Sequence, residues 1–178
     1  MRFSPLPPSL ANIGEAFNVP TYREVQSRLV LELRRARRYE YPLGVVTLGL
    51  RVPARARGDK SNGSVSKSVV EITPAVYGLL GAYLRNTLRE TDILTALPEA
   101  LAFATFLPGV DRKGAEQALL RFGGGFLDCA GFDLQGGVAA FPGDGLTIED
   151  VLENSCVAWR QAHRPNISLS PEPKYSHG

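Results

Sequence analysis

Apolar residues divide the chain into short periodic runs. Val25, Leu29, Leu33 and Ala36 recur at intervals of four, four and three, the spacing of one helix face. Thr21-Tyr-Arg-Glu24 stands just ahead of them with the spacing of a capping box, in which the Thr hydroxyl accepts the Glu24 N–H and the carboxylate reaches back. A helix is predicted from there to about Arg38, stopped before Pro42. LGVVTLGL, residues 43–50, is rich in β-formers and bounded by breakers, the mark of a buried strand. A basic stretch with Gly, Ser and Asn, 51–68, reads as a mobile loop. A second helix is predicted from about Thr73, with Pro74 suited to its first turn and Val76, Leu80, Tyr83, Leu84, Thr87 and Leu88 on its apolar face.

RETDILTALPEALAF, residues 89–103, reads as a helix end, a strand over 92–97, a turn from Leu97 to Leu101, and a second strand over 101–107. PGVD (108–111) turns the chain into a helix near 112–122. Gly123-Gly-Gly125 lacks the Lys-Ser/Thr of a phosphate-binding loop and reads as a flexible link to strands near 126–129 and 132–141. Thr147-Ile-Glu-Asp150 again has capping-box spacing and opens a last helix to about His163. The order predicts an α+β fold, a mainly antiparallel central sheet flanked by helices, with a ferredoxin-like βαββαβ core. Residues 1–16 form an N-terminal arm, 17–166 the domain, and 167–178 a tail expected to be disordered.

Composition excludes more than it selects. The 178 residues are 44% apolar and 21% charged, enough for one domain with a real core. No apolar run reaches membrane-spanning length, and the first dozen residues hold no continuous apolar segment of the secretory kind. Cys129 and Cys156 are too few for a disulfide framework or a zinc site; they are expected to be buried small hydrophobes in a reducing, cytoplasmic setting. Net charge is only +2, but basic residues crowd between Arg28 and Lys67, among them Arg34, Arg35, Arg37, Arg38, Arg51, Arg55, Arg57 and Lys60. A solvated helix face and loop account for them, or else a surface for phosphates or an acidic partner. No aromatic residues interleave with the loop arginines, which argues against nucleic acid.

In order along the chain, these landmarks resemble the GGDEF family, the diguanylate cyclase domains that join two GTP molecules into cyclic di-GMP. NVPTYREVQSRL resembles the family's opening helix, and RRARRYEYPLGVVTLGL the segment entering its first strand. LRETDIL is similar to the helix end before the hairpin, AFATFLPGVDRKGAEQALLR to the strand, turn and helix after it, and GGVAAFPGDGLTIEDVLENSCVAW to the closing segment. The resemblance covers roughly residues 17–166 and implies a nucleotide-cyclase-like sandwich.

Departures from the family pattern carry as much weight as the matches. With Phe103 in place of the motif's final Phe, Glu99-Ala100-Leu101-Ala102 replaces Gly-Gly-Asp-Glu. The family's metal-binding Asp on the first strand aligns with Gly49, the next acid with Arg51, and the late-helix phosphate-binding Lys with Ala162. Trp159 takes the place of the late-helix Tyr and is expected in the core. The family's reaction uses two divalent cations, and magnesium wants carboxylate oxygens and substrate phosphates. Gly49 and Ala102 supply no carboxylate, Ala100 and Leu101 put side chains where the backbone must approach the nucleotide, and Glu99 alone makes a poor metal site. No catalytic residue, metal or cofactor is therefore expected.

What the resemblance retains is Arg89-Glu-Thr-Asp92, which matches the family's RxxD inhibitory site for cyclic di-GMP, with Arg121, thirteen residues after Pro108, as its further Arg. Arginine can fork onto a phosphate or the Hoogsteen edge of guanine, and an Asp carboxylate can accept guanine's N1–H and N2–H₂. The bland alternative is a local ion pair between Arg89 and Asp92 that closes the helix end. The expectation is a non-catalytic signalling domain, a cyclic di-GMP receptor or adaptor that passes its state to a protein partner. The rival is a protein-interaction module with a vestigial nucleotide site, using the apolar hairpin tip (Leu97, Pro98, Leu101) or the basic loop (Arg55, Arg57) as contact surface; the bland alternative at the tip is that Leu97 or Leu101 turns inward and packs. Homodimerisation is left open.

Overall fold

A computed structural model describes residues 19–51 and 74–162. The elements run α1 (Tyr22–Tyr39), β1 (Leu43–Leu50), α2 (Pro74–Thr87), β2 (Ile93–Leu97), a 3₁₀ turn (Pro98–Ala100), β3 (Ala102–Pro108), α3 (Arg112–Ala130), β4 (Leu134–Phe141) and α4 (Ile148–Ala162). The predicted arm, most of the basic loop with Arg55 and Arg57, His163 and the C-terminal tail lie outside the described residues.

The four strands form one antiparallel sheet in the order β2-β3-β1-β4, the order a βαββαβ core requires. Every residue of β1 is buried, as its apolar run predicts. Its side chains alternate between two cores. Leu43 and Val45 face α1 and α4, among Val25, Leu29, Leu33, Phe106, Ile148 and Val151. Val46, Leu48 and Leu50 face α2 and α3, among Tyr77, Leu80, Leu84, Phe103, Phe122 and Phe126. One open sheet edge is covered by the entering chain: the Ala96 N–H donates to the Pro20 carbonyl at 2.8 Å, and Thr21 bridges to Ala96.

Local signals place most helix ends. At α1 the predicted capping box forms, with the Glu24 carboxylate accepting from the Thr21 N–H at 2.6 Å and from its hydroxyl at 2.7 Å. These bonds hold the Glu24 carboxyl below its usual range. At α4 the predicted reciprocal box forms, Thr147 N–H to Asp150 and Asp150 N–H to the Thr147 hydroxyl, both 3.1 Å. Among the described residues no helix is long and apolar enough to cross a membrane.

Two expectations fail between 123 and 131. The glycine run is no flexible link, and residues 126–129 are no strand: α3 continues through both to Ala130 and ends at Gly131, with φ +73°. Three helical glycines cost about 3 kcal/mol relative to alanine. Phe122 and Phe126, one turn apart and fully buried, recover roughly 3–6 kcal/mol. Gly125 also has to be small, because a Cβ there would collide with the Tyr83 hydroxyl; Tyr83 in turn packs on the Phe126 ring at 5.2 Å. Cys129 is the third correction. It is exposed in the last turn of α3 beside exposed Leu127 and Asp128, while Cys156 is half-buried with its thiol raised by burial.

Candidate functional site at the base of the hairpin

The chain leaves α2 at Thr87 and must reverse into β2 within a few residues. Asp92 makes that reversal: its N–H donates to the Arg89 carbonyl at 3.1 Å, and its carboxylate accepts the Arg89 N–H at 2.9 Å. The helix end is thus closed through the backbone. Among the described residues no ion pair joins the Arg89 guanidinium to Asp92, so the local ion pair is not the geometry found. Arg89 extends, exposed, from this turn.

Arg121 approaches from α3, its guanidinium 5.3 Å over the buried Phe122 ring. The N-terminus of α3 is fixed by Asp111, whose carboxylate accepts the Gly114 N–H at 2.8 Å. Arg89, Asp92 and Arg121 line one cavity of about 380 Å³, with Leu107, Val110, Gly114, Gln117 and Ala118. That size falls near the lower end of the roughly 300–1,000 Å³ usual for small-molecule sites. Its floor is apolar or small, and its rim carries two guanidiniums against one carboxylate. Gly114 keeps the floor open; a Cβ there would lie 2.8 Å from a Val110 methyl. Gln117 was missed in the sequence, although it precedes Arg121 by one helical turn and so shares its face.

At the other end of the hairpin the side chains serve packing. Gly49 lies opposite Ala102 across β1 and β3. A Cβ at Gly49 would come within 2.9 Å of the Trp159 indole, so the ring fills the ground where a carboxylate would project. Ala102 is fully buried, and its carbonyl accepts from the Tyr77 hydroxyl at 2.7 Å. Tyr77 stacks on Phe103 with ring centroids 4.4 Å apart, and burial raises its phenol above the ordinary range. Leu97 packs against the α1/α4 core and Leu101 against the α2/α3 core; Pro98 is half-buried between them. The tip is thus partly engaged in packing, while Leu97, Pro98 and Leu101 each keep some exposed surface. Glu99 is exposed on the turn, and Ala162 ends α4. Among the described residues no three His, Cys, Asp or Glu gather in a group able to hold a metal ion, and the residues at Gly49 and Ala102 do not fit the cations of the family's reaction.

A larger, more open cleft of about 700 Å³ lies between β4 and α4; Glu153 on its lining is exposed, while its other charged residues, Arg112, Asp144 and Asp150, are committed to the fold. Asp144 pairs with Arg112 at 2.6 and 2.7 Å and accepts the Ala140 N–H; Asp150 caps α4. The arginines of α1 are exposed along one face, and Arg37 reaches the Leu146 carbonyl across to the α4 approach. Arg51 pairs with Asp133 at 3.1 Å.

No family model and no curated relative matches the sequence. Solved structures do. The GGDEF domain of YfiN (TpbB) from Pseudomonas aeruginosa is 20% identical, with a TM-score of 0.64 over 83% of this chain and 92% of that one. The GGDEF domain of DgcB from Caulobacter crescentus, solved in complex with cyclic di-GMP, is 11% identical, with a TM-score of 0.60 over 82% of this chain and 85% of that one. The diguanylate cyclase SiaD from P. aeruginosa, solved with its activator SiaC, is 16% identical, with a TM-score of 0.63 over 86% of this chain and 58% of that one. With the strand order, the flanking helix pairs and the hairpin all in place, the chain is a domain of the GGDEF fold.

Proposed function

We propose that this domain is a non-catalytic cyclic di-GMP receptor or adaptor, binding the dinucleotide at Arg89, Asp92 and Arg121 and passing its state to a protein partner. The observation that carries the reading is the convergence of these three side chains on one cavity, from two separate elements, with a small apolar floor between them. A flat purine suits the floor; a phosphate and the Hoogsteen edge of guanine suit the guanidiniums. Asp92 turns an acceptor toward guanine's N1–H and N2–H₂, donors that adenine lacks. A similarly folded domain was solved with cyclic di-GMP, and another fold neighbour with a protein activator.

Catalytic silence is the second half of the reading. Gly49 and Ala102 offer no carboxylate, and Trp159 covers Gly49. GTP with Mg²⁺ or Mn²⁺ should yield no cyclic di-GMP above background; turnover that survives removal of any contaminating cyclase overturns this half. For the receptor half, cyclic di-GMP should raise the melting temperature of wild type, cyclic di-AMP should not, and Arg89→Ala should abolish the rise. Equal shifts with both dinucleotides would contradict the role given to Asp92.

A further inference from the structure

We infer that Gln117 is a fourth recognition residue of the hairpin-base cavity, donating its carboxamide N–H to an acceptor on the ligand beside Arg121. The inference rests on the receptor reading and adds to it a residue that the RxxD pattern does not contain. On the cavity side α3 presents Gly114, Gln117, Ala118 and Arg121, at intervals of three, one and three. Gly114 and Ala118 are small and leave the floor flat; Gln117 and Arg121 are long, polar and one turn apart, about 6 Å along the axis. Gln117 is exposed, so its carboxamide is not consumed by the core.

The chemistry of the rim assigns the donor role. The Asp92 carboxylate already accepts the Arg89 N–H, and it is the sole carboxylate among the residues lining the cavity. A cyclic dinucleotide can offer the α3 side acceptors in its phosphate oxygens and in guanine N7 and O6. A carboxamide meets these with its NH₂. It also does so without a third positive charge, so its contribution depends on shape more than on salt.

The test is a titration of full-length wild type, Gln117→Ala and Gln117→Glu with cyclic di-GMP, each with its melting temperature in the absence of ligand. Gln117→Ala should lose roughly three- to tenfold in affinity. Gln117→Glu, nearly the same shape but an anion in place of a donor, should lose more than Gln117→Ala. The ligand-free melting temperatures should agree within about 2 °C, because the side chain is exposed. Wild type that binds while Gln117→Ala binds equally well removes Gln117 from the site and leaves the receptor reading standing. Binding by Gln117→Glu as tight as wild type overturns the donor role. Wild type that fails to bind at all overturns the receptor reading, and the assignment of Gln117 with it.

Discussion

At the scale of single residues, Asp92 has two duties, and they can be separated. One is to close the turn after α2 by accepting the Arg89 N–H at 2.9 Å; the other, in the proposed function, is to read guanine. Asn at this position keeps an oxygen for the turn but loses the charge and one acceptor. Asp92→Asn should therefore melt like wild type and bind cyclic di-GMP at least tenfold more weakly, a loss of about 1.5–3 kcal/mol. Asp92→Ala should lose affinity and also melt lower, because the Arg89 amide loses its acceptor. Equal melting temperatures for the two variants, measured side by side, would remove the turn duty. The RxxD spacing pointed to this residue but not to its backbone bond, since a sequence pattern cannot say whether a carboxylate faces a side chain or an amide.

Gly49 and Trp159 belong to the same scale. Restoring an acid by Gly49→Asp should destabilise the domain, because even a Cβ falls within 2.9 Å of the indole. A loss of about 1–3 kcal/mol is expected, and adding Trp159→Ala should relieve the clash, which a double-mutant cycle in denaturant would register. Additive losses would mean that the ring does not hold that ground. The sequence placed Trp159 in the core, but it is half-buried over Gly49 and outside both core clusters, a contact between residues 110 positions apart that is legible only in the fold.

At the scale of elements, α3 explains why periodicity outranks local propensity. Three consecutive glycines read as a break, but Phe122 and Phe126 continue the apolar period across them. The glycines are also unequal. A Cβ at Gly124 would meet nothing within 4 Å, while one at Gly125 would collide with Tyr83. Gly124→Ala should raise stability by about 1 kcal/mol, and Gly125→Ala should lower it. Chemical denaturation of the two variants settles the matter; destabilisation by Gly124→Ala would mean that the helix is not regular there. The remaining elements were legible because their signals agree with one another: capping residues before α1 and α4, an unbroken apolar run for β1, and a hairpin bounded by turn residues. At the tip, the inward packing of Leu97 and Leu101 was foreseeable, but their division between two cores was not, since one strand pattern does not distinguish the two.

At the scale of the whole molecule, α1 and α4 are joined at their N-termini. The Tyr22 hydroxyl donates to the Glu149 carboxylate at 2.9 Å, and Gln26 adds a longer bond at 3.4 Å. The backbone bond at its own N–H, then the Tyr22 bond, hold the Glu149 carboxyl below its usual value; Glu24 and Asp150 are lowered by their caps. A carboxyl with a lowered folded value contributes stability above its unfolded value, which is lost as pH falls through the folded one. Stability should therefore be level near neutral pH and decline below about pH 4.5, in the range where unfolded carboxylates take up protons. Tyr22→Phe should lower the melting temperature by a few degrees and flatten part of that decline, as thermal melts across pH would reveal. An unchanged acid profile would mean that Tyr22 makes no contribution to it. The fold order was readable at this scale, but the joining of α1 to α4 was not, since it pairs residues 127 positions apart.

The central claim is that three side chains gathered around one cavity bind cyclic di-GMP. Calorimetric titration of wild type and Arg89→Ala with cyclic di-GMP, near physiological salt, tests it most directly. Wild type should release heat with saturable binding, at one ligand or more per chain. Arg89→Ala should lose most of the affinity, roughly ten- to a hundredfold, with little change in its ligand-free melting temperature. Wild type that gives no heat, and no ligand-dependent rise in melting temperature at high micromolar ligand, would contradict the claim.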